Sequence, residues 1–221
     1  MLAYQMNRIL TYLVNEGLPI TFIIFYAVGL GLYFTPFTHD LFVLITPYTL
    51  VLVAVAIFSH HKGWTSKTIA VLAGIFVVSI IIEIIGVATG KVFGEYVYGN
   101  GLGLKIFDVP IIIGLNWVFL VYASNSIISK YTSKNGLIIL GAAALMLLYD
   151  SLLEKVAPLM DMWSFLENDP PLRNYVVWFL LALLFNWSMQ HFKLNTHNKP
   201  ARWLFFIQFF FFVIIAIHNE Y

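Results

Sequence analysis

The chain has no cysteine, so neither a disulfide nor a thiolate–metal site is available to it. Charge is nearly as scarce: Asp, Glu, Lys and Arg together make up 10% of the 221 residues, and the net charge is +1. So small a balance gives no general attraction to nucleic acid. The short motifs of several large enzyme classes are missing too. There is no Walker phosphate loop, no GxSxG elbow, no HExxH metal motif and no dinucleotide fingerprint. The last apolar run, residues 204–221, holds no lysine, which removes a retinal-type opsin. The first residues, MLAYQMNRILTYLVNEGLP, lack a basic n-region, a clean apolar core and a small-residue cleavage site. They read as mature protein and not as a signal peptide.

What the chain has in excess is apolar side chains, 61% of all residues. A soluble domain of that composition would have little surface to offer water, so an all-α integral membrane protein is expected. Seven segments approach the roughly 20 apolar residues that a bilayer-crossing helix needs. They are 18–34, 41–60, 68–90, 109–131, 136–159, 175–192 and 204–221. The last is short enough to leave six spans as the alternative count, and its phenylalanines (Phe205, Phe206, Phe209, Phe210, Phe211 and Phe212) read as lipid-facing. Residues 1–17 read either as an interfacial amphipathic segment or as an extension of the first span. No linker divides residues 1–221, so one integral membrane domain is expected. With seven spans, Arg8, Lys62, Lys67, Lys130, Lys134, Lys193, Lys199 and Arg202 fall on one side. The positive-inside rule puts that side, and the N-terminus, in the cytoplasm, with the loops 91–108 and 160–174 outside.

Ionisable groups inside hydrocarbon are costly and mark functional sites. Glu83 in the third span and Asp150 in the fifth lie there, and Asp108 marks the start of the fourth. Counting back from the ends of their runs places Glu83 about 10 Å and Asp150 about 13 Å from the same side of the bundle. Three carboxylates at similar depth on three helices suggest a shared site. Each also has a plainer explanation. Glu83 and Asp150 can be neutral acids bonded across to a neighbouring helix, and Asp108, ahead of Val109–Pro110, has the chemistry of a helix cap.

Gly86, Gly90 and Gly94 follow Glu83 at four-residue spacing, the pattern by which transmembrane helices pack closely. Tyr96, Tyr98, Trp117, Trp163, Tyr175 and Trp178 gather at one membrane boundary, as an interfacial aromatic belt does. His60 and His61, beside Lys62, lack a carboxylate at ligand spacing and read as a solvated loop; His191 and His197 meet the same objection. No metal site is expected.

Two blocks of residues resemble a known family. The first is Glu83-x-x-Gly86-x-x-Thr89-Gly90-x-x-Phe93-Gly94-x-Tyr96-x-Tyr98, followed by Val109–Pro110 and Trp117. The second is Tyr149–Asp150, Pro158, Trp163 and Pro171-x-x-Asn174-Tyr175-x-x-Trp178. Together they are similar to the membrane-bound carotenoid biosynthesis proteins. That family includes carotenoid 1,2-hydratases of the bisanhydrobacterioruberin hydratase and gamma-carotene 1'-hydroxylase type. Val92 stands where the pattern has proline, Phe165 where it has a second tryptophan, and Val177 where a glycine is common.

The resemblance implies a hydro-lyase of isoprenoid metabolism in the cytoplasmic membrane of a bacterium or archaeon, without a cofactor. Its partners would be a lipid-soluble carotenoid, membrane lipid and other carotenoid-pathway enzymes, with no nucleic acid. Hydration of a terminal C1–C2 double bond needs an acid to protonate C2 and a water to attack the tertiary cation at C1. The expected acid and base are Glu83 and Asp150, in unassigned order. Asp108 and Asn174 would hold the water, and Tyr96, Tyr98, Trp117, Tyr149 and Trp178 would line the end-group pocket. A lycopene-type cyclase begins with the same protonation, and a proton-coupled transporter also uses intramembrane acids. Both stand as alternatives.

Overall fold

The computed structural model describes residues 18–167 and 169–219; the amphipathic segment expected over residues 1–17 lies outside them. Each apolar run becomes a helix. They are α1 Leu18–Phe34, α2 His39–Phe58, α3 Ser66–Thr89, α4 Ile112–Ile128, α5 Asn135–Val156, α6 Leu172–His191 and α7 Lys199–Asn219. The bounds differ from the expected ones by a few residues because local chemistry sets the ends. At α3, the Thr65 hydroxyl accepts the Thr68 amide at 3.1 Å, and Gly90 stops the helix in the left-handed conformation at φ 63°.

The fold is an all-α membrane bundle. Pro36–Phe58, which takes in a short 3-10 turn ahead of α2, and α3, α5 and α7 are long and apolar enough to cross a membrane; α1 and α4 are apolar but have 17 residues each. The helix α6, carrying Arg173, Asn174, Asn186 and Gln190, is the least apolar of the seven.

The bundle is built around α4. Fourteen of its seventeen residues are buried, and it packs against α2, α3, α5, α6 and α7, while α1 packs against α2 and α7. The outward faces carry Ile24, Val28, Leu44, Val55, Ile81 and Leu180, each about half exposed or more. Such an apolar exterior suits lipid and not water. The phenylalanines of α7, expected to face lipid, divide between the two sides of the helix. Phe205, Phe211 and Phe212 are buried, whereas Phe206 and Phe210 are exposed.

At one end of the bundle, two loops contain short strands where the sequence suggested only polar, aromatic connection. Strand β1 (Tyr96–Tyr98) pairs antiparallel with β4 (Trp163–Phe165), joining Tyr96 to Phe165 and Tyr98 to Trp163. The pairing extends past the strands, as the Gly99 amide donates to Met162 O and the Leu166 amide to Glu95 O. The other ribbon, β2 (Lys105–Ile106) with β3 (Val109–Pro110), turns at Phe107 and Asp108. Both turn residues have positive φ, 49° and 64°, as a two-residue hairpin that follows strand twist requires. Asp108 is thus an exposed hairpin residue, and α4 starts four residues later.

The glycines also differ from their expected role. A Cβ at Gly86 would lie 2.9 Å from Phe93 Cδ2 and 3.0 Å from the Tyr96 hydroxyl; one at Gly94 would lie 2.8 Å from Pro171 Cγ. They make room for the strand-bearing loops, not for a neighbouring transmembrane helix. At the opposite end, His61 is buried and not solvated: its Nδ1 is 2.8 Å from the Tyr122 hydroxyl. Burial holds its imidazole below the usual range.

Candidate functional site

Glu83 lies two turns before the end of α3, on the face turned towards the paired strands, and is buried. The β1 strand folds back over it. Tyr96 and Tyr98 are two apart in β1 and so on one face, and both hydroxyls donate to Glu83 Oε2, at 2.6 and 2.8 Å. From α4, the Trp117 indole N–H donates to Oε1 at 3.2 Å. Burial, with the Glu83 charge second, pushes both tyrosines well above the ordinary phenol range, so they remain O–H donors at physiological pH.

A second carboxylate faces the same space, and it is Glu154, not Asp150. Its Oε2 accepts the Trp163 indole N–H from β4 and its Oε1 the Asn174 amide from α6, each at 2.8 Å. The β1–β4 pairing therefore puts the two tyrosine donors of Glu83 and the Trp163 donor of Glu154 on one ribbon. Trp178, one turn after Asn174, stacks on Trp117 with ring centres 3.8 Å apart and planes within 18°. Glu83, Tyr96, Tyr98, Trp117, Glu154, Trp163, Asn174 and Trp178 line one cavity with Phe93, Ile113, Asn116 and Phe165. The space left is about 20 Å³, room for roughly one water.

Six of the nine residues expected in the site are there: Glu83, Tyr96, Tyr98, Trp117, Asn174 and Trp178. The other three stand elsewhere. Asp150 is fully buried one turn before Glu154, with no hydrogen-bond partner at either oxygen, and does not line the cavity. Tyr149 packs against Phe205, Phe209 and Phe212 of α7. Asp108 is exposed at its hairpin. Sequence reasoning passed over Glu154 because it sits beside Lys155, two residues from the end of its helix, where charge is unremarked. Its i, i+4 relation to Asp150 was the available signal.

Buried acids with fixed donors, aromatic faces and amides can hold a small molecule, move a proton and stabilise a transient cation. Residues 41–219 match the model of a family described as carotenoid biosynthesis proteins. No curated protein and no solved structure matches the chain.

Proposed function

The chain belongs to the carotenoid biosynthesis protein family, and from that premise we propose that it hydrates the terminal C1–C2 double bond of an acyclic carotenoid end group of the lycopene or gamma-carotene type. It is a membrane protein acting in carotenoid biosynthesis; the hydratase step is the reading its site supports best. The observation that carries it is the pair Glu83 and Glu154, lining one cavity with every carboxylate oxygen held by a donor.

Glu154 accepts two hydrogen bonds and Glu83 three. Glu154, with fewer, is our acid: its proton passes to C2, the π electrons form the new C–H bond, and a tertiary cation remains at C1. The indole faces of Trp117, Trp163 and Trp178 stabilise that cation. A water held by Asn174 or Asn116 adds through oxygen to C1, and its surplus proton goes to Glu83. Glu83 returns that proton to Glu154 through the cavity. The sum is alkene plus water to tertiary alcohol, with nothing oxidised or reduced. In this reading Asp150, one turn before Glu154 and outside the cavity lining, is not the reacting acid. The setting is the cytoplasmic membrane of a bacterium or archaeon, N-terminus inside.

Expression in a host that makes lycopene tests this. The wild-type chain should yield a product heavier by one water, and Glu83→Gln or Glu154→Gln should lower its yield by about 10²–10⁴-fold. Normal yield from both variants would end the proposal. A product isomeric with the substrate would mean ring closure instead of hydration.

A further inference from the structure

The carboxylate cavity as it stands has room for roughly one water, so the body of a long hydrocarbon must lie elsewhere. A second, apolar chamber of about 110 Å³ lies between α1, α2 and α7, lined by Phe25, Val28, Ile45, Thr46, Leu50 and Phe211 among others. Val28 is 58% exposed on the apolar exterior, so the chamber reaches the bilayer side of the bundle. A narrow space of about 10 Å³ lies between the two. It shares Leu50 and Gln208 with the chamber and Asn116 with the carboxylate cavity. Gln208 is buried with no partner at its Oε1. Its oxygen can therefore swing without breaking a hydrogen bond.

We infer that this chamber binds the polyene chain of a linear carotenoid, and that Gln208 and Asn116 form the neck through which its end reaches Glu83 and Glu154. The inference rests on the proposed hydration for its substrate class. It differs from that proposal in naming where the chain lies. A larger open groove between α3 and α6, about 370 Å³ and lined by Lys67, Gly74, Val78 and Phe185, is the rival location. It shares no lining residue with either the neck or the cavity.

Lycopene is achiral, and so gains visible circular dichroism only when an asymmetric site holds it; free pigment in detergent gives none. Purified full-length chain titrated with lycopene should show that signal. Gly29 lines the chamber, and a Cβ there meets Phe211 at 3.5 Å, an ordinary contact. Gly29→Phe on α1 and Thr46→Phe on α2 fill the chamber and should each weaken binding by about tenfold or more. Gly74→Phe fills the rival groove, where an added Cβ meets nothing within 4 Å, and should bind as the wild type does.

Undiminished signal from both filled chambers, loss of signal in Gly74→Phe, or no signal in the wild type would overturn the inference. Product mass measured on the same samples separates the two ideas. Bound lycopene without a hydrated product counts against hydration and leaves the chamber standing. Hydrated product from both filled variants at wild-type yield counts against the chamber alone.

Discussion

Asp150 and Glu154 show how much one helical turn decides. Both are buried carboxylates on α5, yet only Glu154 lines the cavity and has donors, from Trp163 and Asn174. Asp150 touches no donor. We therefore expect Asp150→Asn, which keeps the shape, to lower hydrated product by less than about tenfold, well short of the loss that removing a proton-transfer group causes. Product analysis beside Glu154→Gln checks this, and an equal loss in the two would restore Asp150 to the reacting pair. The aromatic candidates come from the family resemblance, which gives residue types at a spacing but not the surroundings of each side chain. Tyr149 misled for the same reason: it has the right chemistry but lies on the face of α5 that meets α7.

At the level of elements, the device that makes the site is the β1–β4 pairing, which ties the loop after α3 to the loop after α5. Glycine serves this pairing. At Gly86 the backbone of α3 lies close enough to Phe93 and Tyr96 that a methyl group would press on both. Gly86→Ala should thus cost about 1–3 kcal/mol by overpacking. It should also move the Tyr96 hydroxyl off Glu83. A melting temperature lowered by several degrees, with reduced product, is the expected result. Gly74→Ala, with open space at its Cβ, should leave both unchanged. Four-residue glycine spacing fits helix packing and this loop approach alike, because both need a bare backbone, and spacing does not say what approaches it. The Phe107–Asp108 turn is not legible in the sequence, because Asp before Val–Pro has the chemistry of a helix start and positive φ at two non-glycine residues leaves no mark in composition.

For the molecule as a whole, the paired strands lie at one end, and Lys62, Lys130, Lys134 and Lys193 lie in or beside loops at the other. From that charge asymmetry, the positive-inside rule predicts the strand end outside the cytoplasm. The natural absence of cysteine makes this easy to check. In intact cells, a membrane-impermeant maleimide should label Leu104→Cys, at a position 76% exposed in the strand-end loops. It should not label Lys134→Cys, exposed in the opposite loop, until the cells are opened. The reverse pattern would invert the orientation and put the site near the cytoplasmic leaflet. The site would then draw its carotenoid from that leaflet.

The sequence by itself determined the seven helices of the described residues and the membrane setting, because crossing hydrocarbon is a local demand that each run of apolar residues meets alone. It also singled out Glu83, since a lone acid in such a run is costly enough to stand out. Which second acid joins Glu83 was decided only by the tertiary structure. The α5 helix is apolar around most of its circumference, so no periodicity tells which turn of its acidic face reaches the cavity. The partners that settle it, Trp163 and Asn174, arrive from β4 and α6 through contacts that no local pattern encodes.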